Sequence, residues 1–238
     1  MPLHESDSII LKTYPLAEAD RIVVFFSRDF GKLRGVANGV RKPGSRFGAS
    51  LEPLARSRVQ FFQKEAAELV RIRATDLIDS PMKLFEDYDR AMLAAHVADL
   101  IDRFLPEHEV QDTVFRLFGL VRECLAAGCP QGMARCYFEV WMLRLAGILP
   151  DLFTCSRCRR RLEPAESRVL LSGLTRIACG KCGGAEGTDV PSGTVEVLAW
   201  ILRNALDSPA PDFSGEGAPG LEHMRQLNKL WIDRYFER

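Results

Sequence analysis

Arg56-Ser57-Arg58-Val59-Gln60-Phe61-Phe62, followed after a short break by Glu68-Leu69-Val70-Arg71-Ile72-Arg73-Ala74, alternates polar and apolar residues at period 2. A β-strand turns successive side chains to opposite faces, so the alternation predicts two half-buried strands. Toward the N-terminus, residues 9–14 (I-I-L-K-T-Y) and 21–26 (R-I-V-V-F-F) are further β-rich runs. Residues 31–40 carry glycines suited to bends or bulges. Five short strands with turn signals between them and little helix suggest a small closed barrel over residues 1–79. The OB-fold is the commonest such unit at this size.

Pro81 marks a change to helical periodicity. Leu93, Val97, Leu100, Ile101 and Phe104 fall on one helical face, and Val110, Val114, Leu117, Phe118, Val121 and Leu125 on another. Residues 133–148 are apolar nearly all round, which predicts a central helix. Val195, Leu198, Ala199 and Leu202 make a further stripe, and Leu221, Met224, Trp231 and Tyr235 the last. Residues 150–190 interrupt this pattern with cysteine pairs and glycines. Residues 207–220 (D-S-P-A-P-D-F-S-G-E-G-A-P-G) have the composition of a surface loop. The expected architecture is α+β and multidomain. An OB-fold barrel (1–79) precedes an all-α helical domain (80–238), which carries an inserted four-cysteine zinc module (150–190).

The chain has 238 residues, 47% of them hydrophobic, enough to bury a substantial core. Thirty-two basic residues balance thirty-two acidic ones, so whole-chain charge predicts no polyanion partner, and any such case needs local asymmetry. The start, M-P-L-H-E-S-D, lacks a basic n-region and an apolar h-region, and no stretch approaches the roughly 20 apolar residues of a membrane helix. A soluble, cytoplasmic protein, not associated with a membrane, is expected.

Of seven cysteines, Cys155-x-x-Cys158 and Cys179-x-x-Cys182 form two pairs with 20 residues between them. Each C-x-x-C turn sets two thiolates on one side of an ion, and a hairpin that returns the second turn completes a tetrahedron. Residues 169–171 and 174–177 supply the hairpin, and Gly180, Gly183 and Gly184 suit a tight turn needing positive φ. Four protein thiolates leave no open position, so a single structural Zn2+ is expected. A redox dithiol would sit at the start of a helix in a βαβ unit, and a deaminase needs an H-x-E that none of His4, His96, His108 or His223 provides. Cys124, Cys129 and Cys136 lie in apolar helical text and are expected buried and reduced.

Residues 28–73 hold eleven Lys/Arg against four acids. Lys32 and Arg34, Arg56 and Arg58, and Arg71 and Arg73 are each two apart, so each pair shares one face of its strand. Their alternates Leu33, Val59, Phe61, Val70 and Ile72 then face the core. Three such strands, extended by Arg41, Lys42 and Arg46 of the next loop, present a cationic stripe fit for a phosphodiester backbone, with Phe47 or Phe62 placed for base stacking. The competing explanation is the ordinary solvated face of a half-buried sheet. A smaller cluster, Arg157, Arg159, Arg160 and Arg161, surrounds the first cysteine pair, and either reaches phosphate or balances thiolate charge. No phosphate-binding loop, H-E-x-x-H, G-x-S-x-G or dinucleotide fingerprint occurs, so nothing calls for an enzyme.

Several stretches resemble the RecO family of repair proteins. They are Ile9-Ile10-Leu11-Lys12-Thr13 through Glu18-x-Asp20-Arg21-Ile22, and Phe30-Gly31-Lys32-Leu33 followed by residues 36–47. The run Trp141-x-Leu143-Arg144-Leu145-Ala146-Gly147-x-Leu149-Pro150-x-Leu152 into Cys155-x-x-Cys158 is similar too. The resemblance implies an OB-fold, a helical domain and a zinc insertion. It implies binding of single- and double-stranded DNA, annealing of complementary strands, and help in loading RecA onto DNA coated by single-strand-binding protein. Its implied partners are RecR, the C-terminal tail of single-strand-binding protein and, indirectly, RecF and RecA. It carries DNA contact to Lys32, Arg34, Arg41, Lys42 and Arg46, whereas Arg56, Arg58, Arg71 and Arg73 rest on the strand reading alone. The rival function is a zinc-ribbon OB protein bound to structured RNA or to the transcription or translation machinery.

Overall fold

A computed structural model describes residues 2–42, 44–63, 68–163, 165–173, 175–184, 187–209 and 218–237. Most of the loop expected at 207–220 lies outside the described residues, as do Pro43, Lys64 and Leu174. The chain divides into two compact units, Met1–Ala126 and Ala127–Arg238. Among the described residues no helix is long and apolar enough to cross a membrane.

The first unit is built on β1 (Leu3–Leu16), β2 (Asp20–Ser27), β3 (Gly31–Ala37), β4 (Arg56–Phe62) and β5 (Val70–Asp79). They form a closed barrel in the order β1-β2-β3-β5-β4, and β4 pairs back to β1. Every pairing is antiparallel except that of β3 with β5. This is the OB arrangement. β1 has 14 residues because it serves two partners, its first half pairing with β4 and its second with β2 across a bulge between Ile10 and Lys12.

Leu33, Val59, Phe61, Val70 and Ile72 all enter the barrel core with Ile10, Val23 and Phe25, as the alternation predicts. The apolar runs of β1 and β2 do not alternate, because both of their faces are covered. Ile9, Leu11, Val24 and Phe26 point away from the barrel interior and are equally buried. The cover comes from α2 (Tyr88–Phe104), which packs on β1, and α3 (Asp112–Ala126), whose Phe115 ring lies 5.6 Å from that of Phe26. A one-turn helix, α1 (Met82–Phe85), leads in, and the Asp87 carboxylate caps α2 by accepting from the Arg90 N–H at 2.8 Å. The Val110 stripe begins two residues too early: α3 starts at Asp112, and Val110 is exposed. Gly31 turns the chain between β2 and β3 at φ +71°, with the Glu109 carbonyl oxygen inside van der Waals contact of where a Cβ would stand. No other residue fits both the left-handed backbone and that approach.

The second unit contains α4 (Gln131–Leu145), β6 (Arg168–Leu171), β7 (Ile177–Cys179), α5 (Gly180–Gly183), β8 (Gly187–Val190), α6 (Ser192–Ile201) and α7 (Pro219–Phe236). α4 is buried along most of its circumference, and α6 and α7 pack on it and on each other. The stripes on α6 and α7 hold at Val195, Leu198, Leu221, Met224 and Trp231. Between α4 and α6 in the chain comes the small sheet β7-β6-β8. Cys136 is buried and free, but Cys124 and Cys129 are half-buried and disulfide-bonded, against the expectation of three buried, reduced residues.

Candidate functional site

The four paired cysteines converge. Cys155 and Cys158 stand on a tight turn, while Cys179 ends β7 and Cys182 lies in the one-turn helix that follows. Antiparallel pairing of β6 with β7 brings the second pair back, and the Ser156 N–H donates to the Ile177 carbonyl at 2.8 Å, tying the two turns together. All four sulfur atoms lie within 4.8 Å of one another. A tetrahedron with metal–sulfur bonds of about 2.3 Å has edges of about 3.8 Å, so the quartet fits a tetrathiolate metal site. Cys155 and Cys179 are buried, Cys182 is half-buried and Cys158 is exposed.

The environment already favours thiolates on the inner side. Burial opposes charge on Cys155, but the backbone N–H groups of Cys158, Cys179 and Arg157 outweigh it and hold the thiol down to about 6. Cys182 is pushed up to about 12 by the neighbouring sulfurs of Cys179 and Cys158. The glycines serve two different ends. Gly184 alone of the three has positive φ (+54°), whereas Gly183 is needed because a Cβ there would stand 2.8 Å from that of Val169.

The sequence reading missed Arg168, which heads β6 and is 1% exposed. Its guanidinium donates to the carbonyls of Leu152 (3.1 Å), Glu166 (2.6 Å), Leu162 (3.3 Å) and Glu163 (2.6 Å). It therefore clamps the loop bearing the first cysteine pair onto the sheet bearing the second. An arginine opening the otherwise apolar run R-V-L-L was the only hint.

The nine predicted barrel cations separate into two groups. Lys32 is 5% exposed and donates to the Asp102 backbone carbonyl and, at 3.1 Å, to its carboxylate. Arg34 pairs with Glu107 at 2.7 Å, Arg56 with Asp7 at 2.7 Å, and Arg58 with Glu5 at 3.7 Å. The strand register explains Lys32, which sits opposite Phe26 on the face that α2 and α3 cover, whereas Arg34, opposite Val24, remains exposed. Arg41, Lys42, Arg46, Arg71 and Arg73 are exposed, and among the described residues none makes an ion pair. Their backbones are neighbours. The parallel register Val36↔Arg71 and Ala37↔Ile72 places Arg73 where β3 runs out into the loop carrying Arg41, Lys42 and Arg46. The far end of that loop meets β5 two residues on, through the Ser50–Thr75 hydroxyl pair. Phe47 is 2% exposed within the barrel core, with the Arg46 guanidinium 5.0 Å from its ring centroid, so it offers no face for stacking. Phe62 is half-buried.

Residues 1–81 match the family described as Recombination protein O N terminal, and residues 85–238 match Recombination protein O C terminal. The chain belongs to the recombination protein O family. Among relatives, the DNA repair protein RecO of Koribacter versatilis is 45% identical over 239 residues, covering 99% of this chain and 95% of that protein. The DNA repair protein RecO of Pelotomaculum thermopropionicum is 32% identical over 205 residues, covering 85% and 78% respectively. That of Geobacter metallireducens is 33% identical over 186 residues, covering 77% and 75%.

In this recombination protein O chain, Asp102 joins two lysines at the barrel–helix contact, accepting from Lys12 at 3.0 Å as well as from Lys32. Burial opposes its ionisation, but hydrogen bonds from Lys12 and Lys32 outweigh that and hold its carboxyl below the usual range. Its stabilising contribution is thus present above the ordinary carboxylate pKa and is lost as pH falls through the depressed one. Asp102→Asn leaves Lys32 charged and buried without its counter-charge. Denaturant unfolding is expected to show a loss of about 3 kcal/mol for that variant, and unchanged stability would contradict the pairing.

Proposed function

We propose that this chain is a non-catalytic DNA repair and recombination protein that holds DNA by its phosphate backbone and promotes the pairing of complementary strands. The DNA-binding domain in this reading is the barrel, residues 1–79. Its contacts are the five exposed cations that make no ion pair among the described residues, Arg41, Lys42, Arg46, Arg71 and Arg73; Lys32 and Arg56 are held in ion pairs, and Arg34 and Arg58, though exposed, pair with Glu107 and Glu5. Family membership supports the role. The observation that carries the site is that the loop between β3 and the following turn gathers its cations beside those of β5, with no carboxylate among the described residues to neutralise them. Two DNA strands repel through their phosphates, and a cationic surface lowers that repulsion while raising local strand concentration, so annealing accelerates without bond chemistry. Helping RecA onto DNA coated by single-strand-binding protein, with RecR and, less directly, RecF, belongs to the same reading, as does capture of the tail of single-strand-binding protein.

The tetrathiolate site is read as holding one Zn2+ through Cys155, Cys158, Cys179 and Cys182. When bound, the metal cross-links two turns of a module whose strands are only three or four residues long.

Affinity of the full-length protein for single-stranded DNA, followed against salt, tests the interface. The five barrel contacts at about 0.7 each contribute about −3.5 to the log–log slope. A flat plot sinks the backbone-binding reading, and preferential displacement by transfer RNA would favour a structured-RNA protein instead.

A further inference from the structure

The arginine-rich turn beside the first cysteine pair resolves into members with different tasks. Arg157 donates to the Cys182 carbonyl, and Arg160 donates to the Glu166 carboxylate. Both therefore serve the module itself. Arg159 is exposed, makes no ion pair among the described residues, and is held at φ +61° with its N–H on the Cys155 carbonyl at 2.9 Å. A non-glycine residue in that conformation is strained, and the surrounding turn must offset the strain. Across from it Arg176, on the approach to β7, is likewise exposed and without an ion pair among the described residues. Between them opens a cleft of about 320 Å³, lined also by Thr154, Ser156 and Thr175. The Ser156 hydroxyl is closed off from solvent and has no hydrogen-bond partner, although it borders the cleft. Asp151 lines the cleft as well, and its carboxylate accepts from the Phe153 N–H at 2.7 Å.

We propose that this cleft is a second phosphate-binding site, in the module and apart from the barrel, and that it takes a phosphodiester group of a nucleic-acid strand. Two guanidinium groups present planar forks of N–H donors matched to phosphate oxygens. Thr154 and Thr175 add two hydroxyls to the lining as further donors. Cys155 and Asp151 also line the cleft, so an anion there is costly unless it is met by more than one cation, and the cleft has two. The inference rests on the DNA reading. It adds a contact region in the second unit, so that one molecule carries two places for backbone and can hold two segments of strand.

Phenylglyoxal labelling of the full-length, metal-loaded protein, read by mass spectrometry with and without a 20-nucleotide single strand, tests this without a substitution. The strand is expected to protect Arg159 and Arg176. Labelling of these two that is unchanged, while Arg71 and Arg73 are protected, overturns this site and leaves the barrel interface standing. Loss of protection at all four defeats the broader reading as well. Inorganic phosphate at matched ionic strength is the second arm: protection by phosphate equal to that by DNA identifies a free-anion site and overturns the proposal. The Arg159→Ala/Arg176→Ala variant is expected to keep its metal and to show a salt slope shallower by about 1.4, two contacts at roughly 0.7 each. Full metal loss with DNA affinity unchanged would assign the pair to neutralising the thiolates.

Discussion

Arg71→Glu/Arg73→Glu is expected to bind single-stranded DNA at least about tenfold more weakly near 0.1 M salt, with the log–log slope reduced by about 1.4. The stem of each side chain leaves the outer face of β5, since Val70 and Ile72 between them are in the barrel core. Neither makes an ion pair among the described residues, so reversal removes two phosphate contacts and breaks no internal one. Thermal unfolding of the variant is therefore expected to match that of the unaltered protein. Lys32→Ala is the opposite case. It removes one of the two lysine partners of Asp102, the buried one, and lowers stability, yet it is expected to leave the salt slope of the folded protein unchanged. Annealing of strands coated by single-strand-binding protein should follow the slope and not the stability. If Lys32→Ala flattened the slope while Arg71→Glu/Arg73→Glu did not, the division of the nine cations would be inverted and the interface would have to move to the β3 face.

That division shows where local sequence stops being informative. Period 2 places Leu33, Val59, Phe61, Val70 and Ile72 inside and their basic neighbours outside, and the structure agrees at each. Period says nothing about what covers the outside of a barrel. The clue lay elsewhere in the chain. Ile9-Ile10-Leu11 and Val23-Val24-Phe25-Phe26 are unbroken apolar runs, the mark of strands buried on both faces, so a helix had to lie over β1 and β2. With β3 paired to β2, Lys32 beside Phe26 was bound to fall at the edge of that cover. Finding the pairing required the tertiary register, which single-sequence periodicity does not contain. The acids that meet these cations were equally out of reach: Asp102 and Glu107 lie some 70 residues further along the chain. The cysteine quartet was legible because its chemistry is carried by residue type and spacing, and a hairpin is a local structure. Arg168 was not legible, since its role is to bind backbone carbonyls, which leave no trace in side-chain pattern.

If the quartet holds one Zn2+ as proposed, Cys155→Ser is expected to reduce bound zinc from one per chain to near zero and to unfold the module over residues 152–190. The sheet there has strands of four, three and four residues, too short to stand alone, and among the described residues its buried aliphatic set is small: Leu152, Leu162, Val169, Leu170, Leu171, Ile177, Ala178 and Val190. Structural zinc contributes about 10 kcal/mol or more in modules of this kind, whereas the hydrogen bonds of Arg168 must first offset the cost of burying its charge. Cys155 is the position of greatest leverage because its sulfur is buried and also accepts the Cys179 N–H at 3.3 Å, joining the two pairs even before metal arrives. Chelation of the unaltered protein is the companion measurement, since it leaves every side chain in place. Amide exchange over residues 152–190 should become fast on chelation and slow again when zinc is restored. The direction of the pH effect follows from the thiols. With Cys182 pushed up to about 12, the metal-free quartet still holds protons at neutral pH. Metal binding therefore releases protons, and affinity must rise with pH and fall on acidification. Slow exchange that persists after the last metal is stripped would mean that packing and Arg168 alone hold the module, and the four thiolates would then need another explanation.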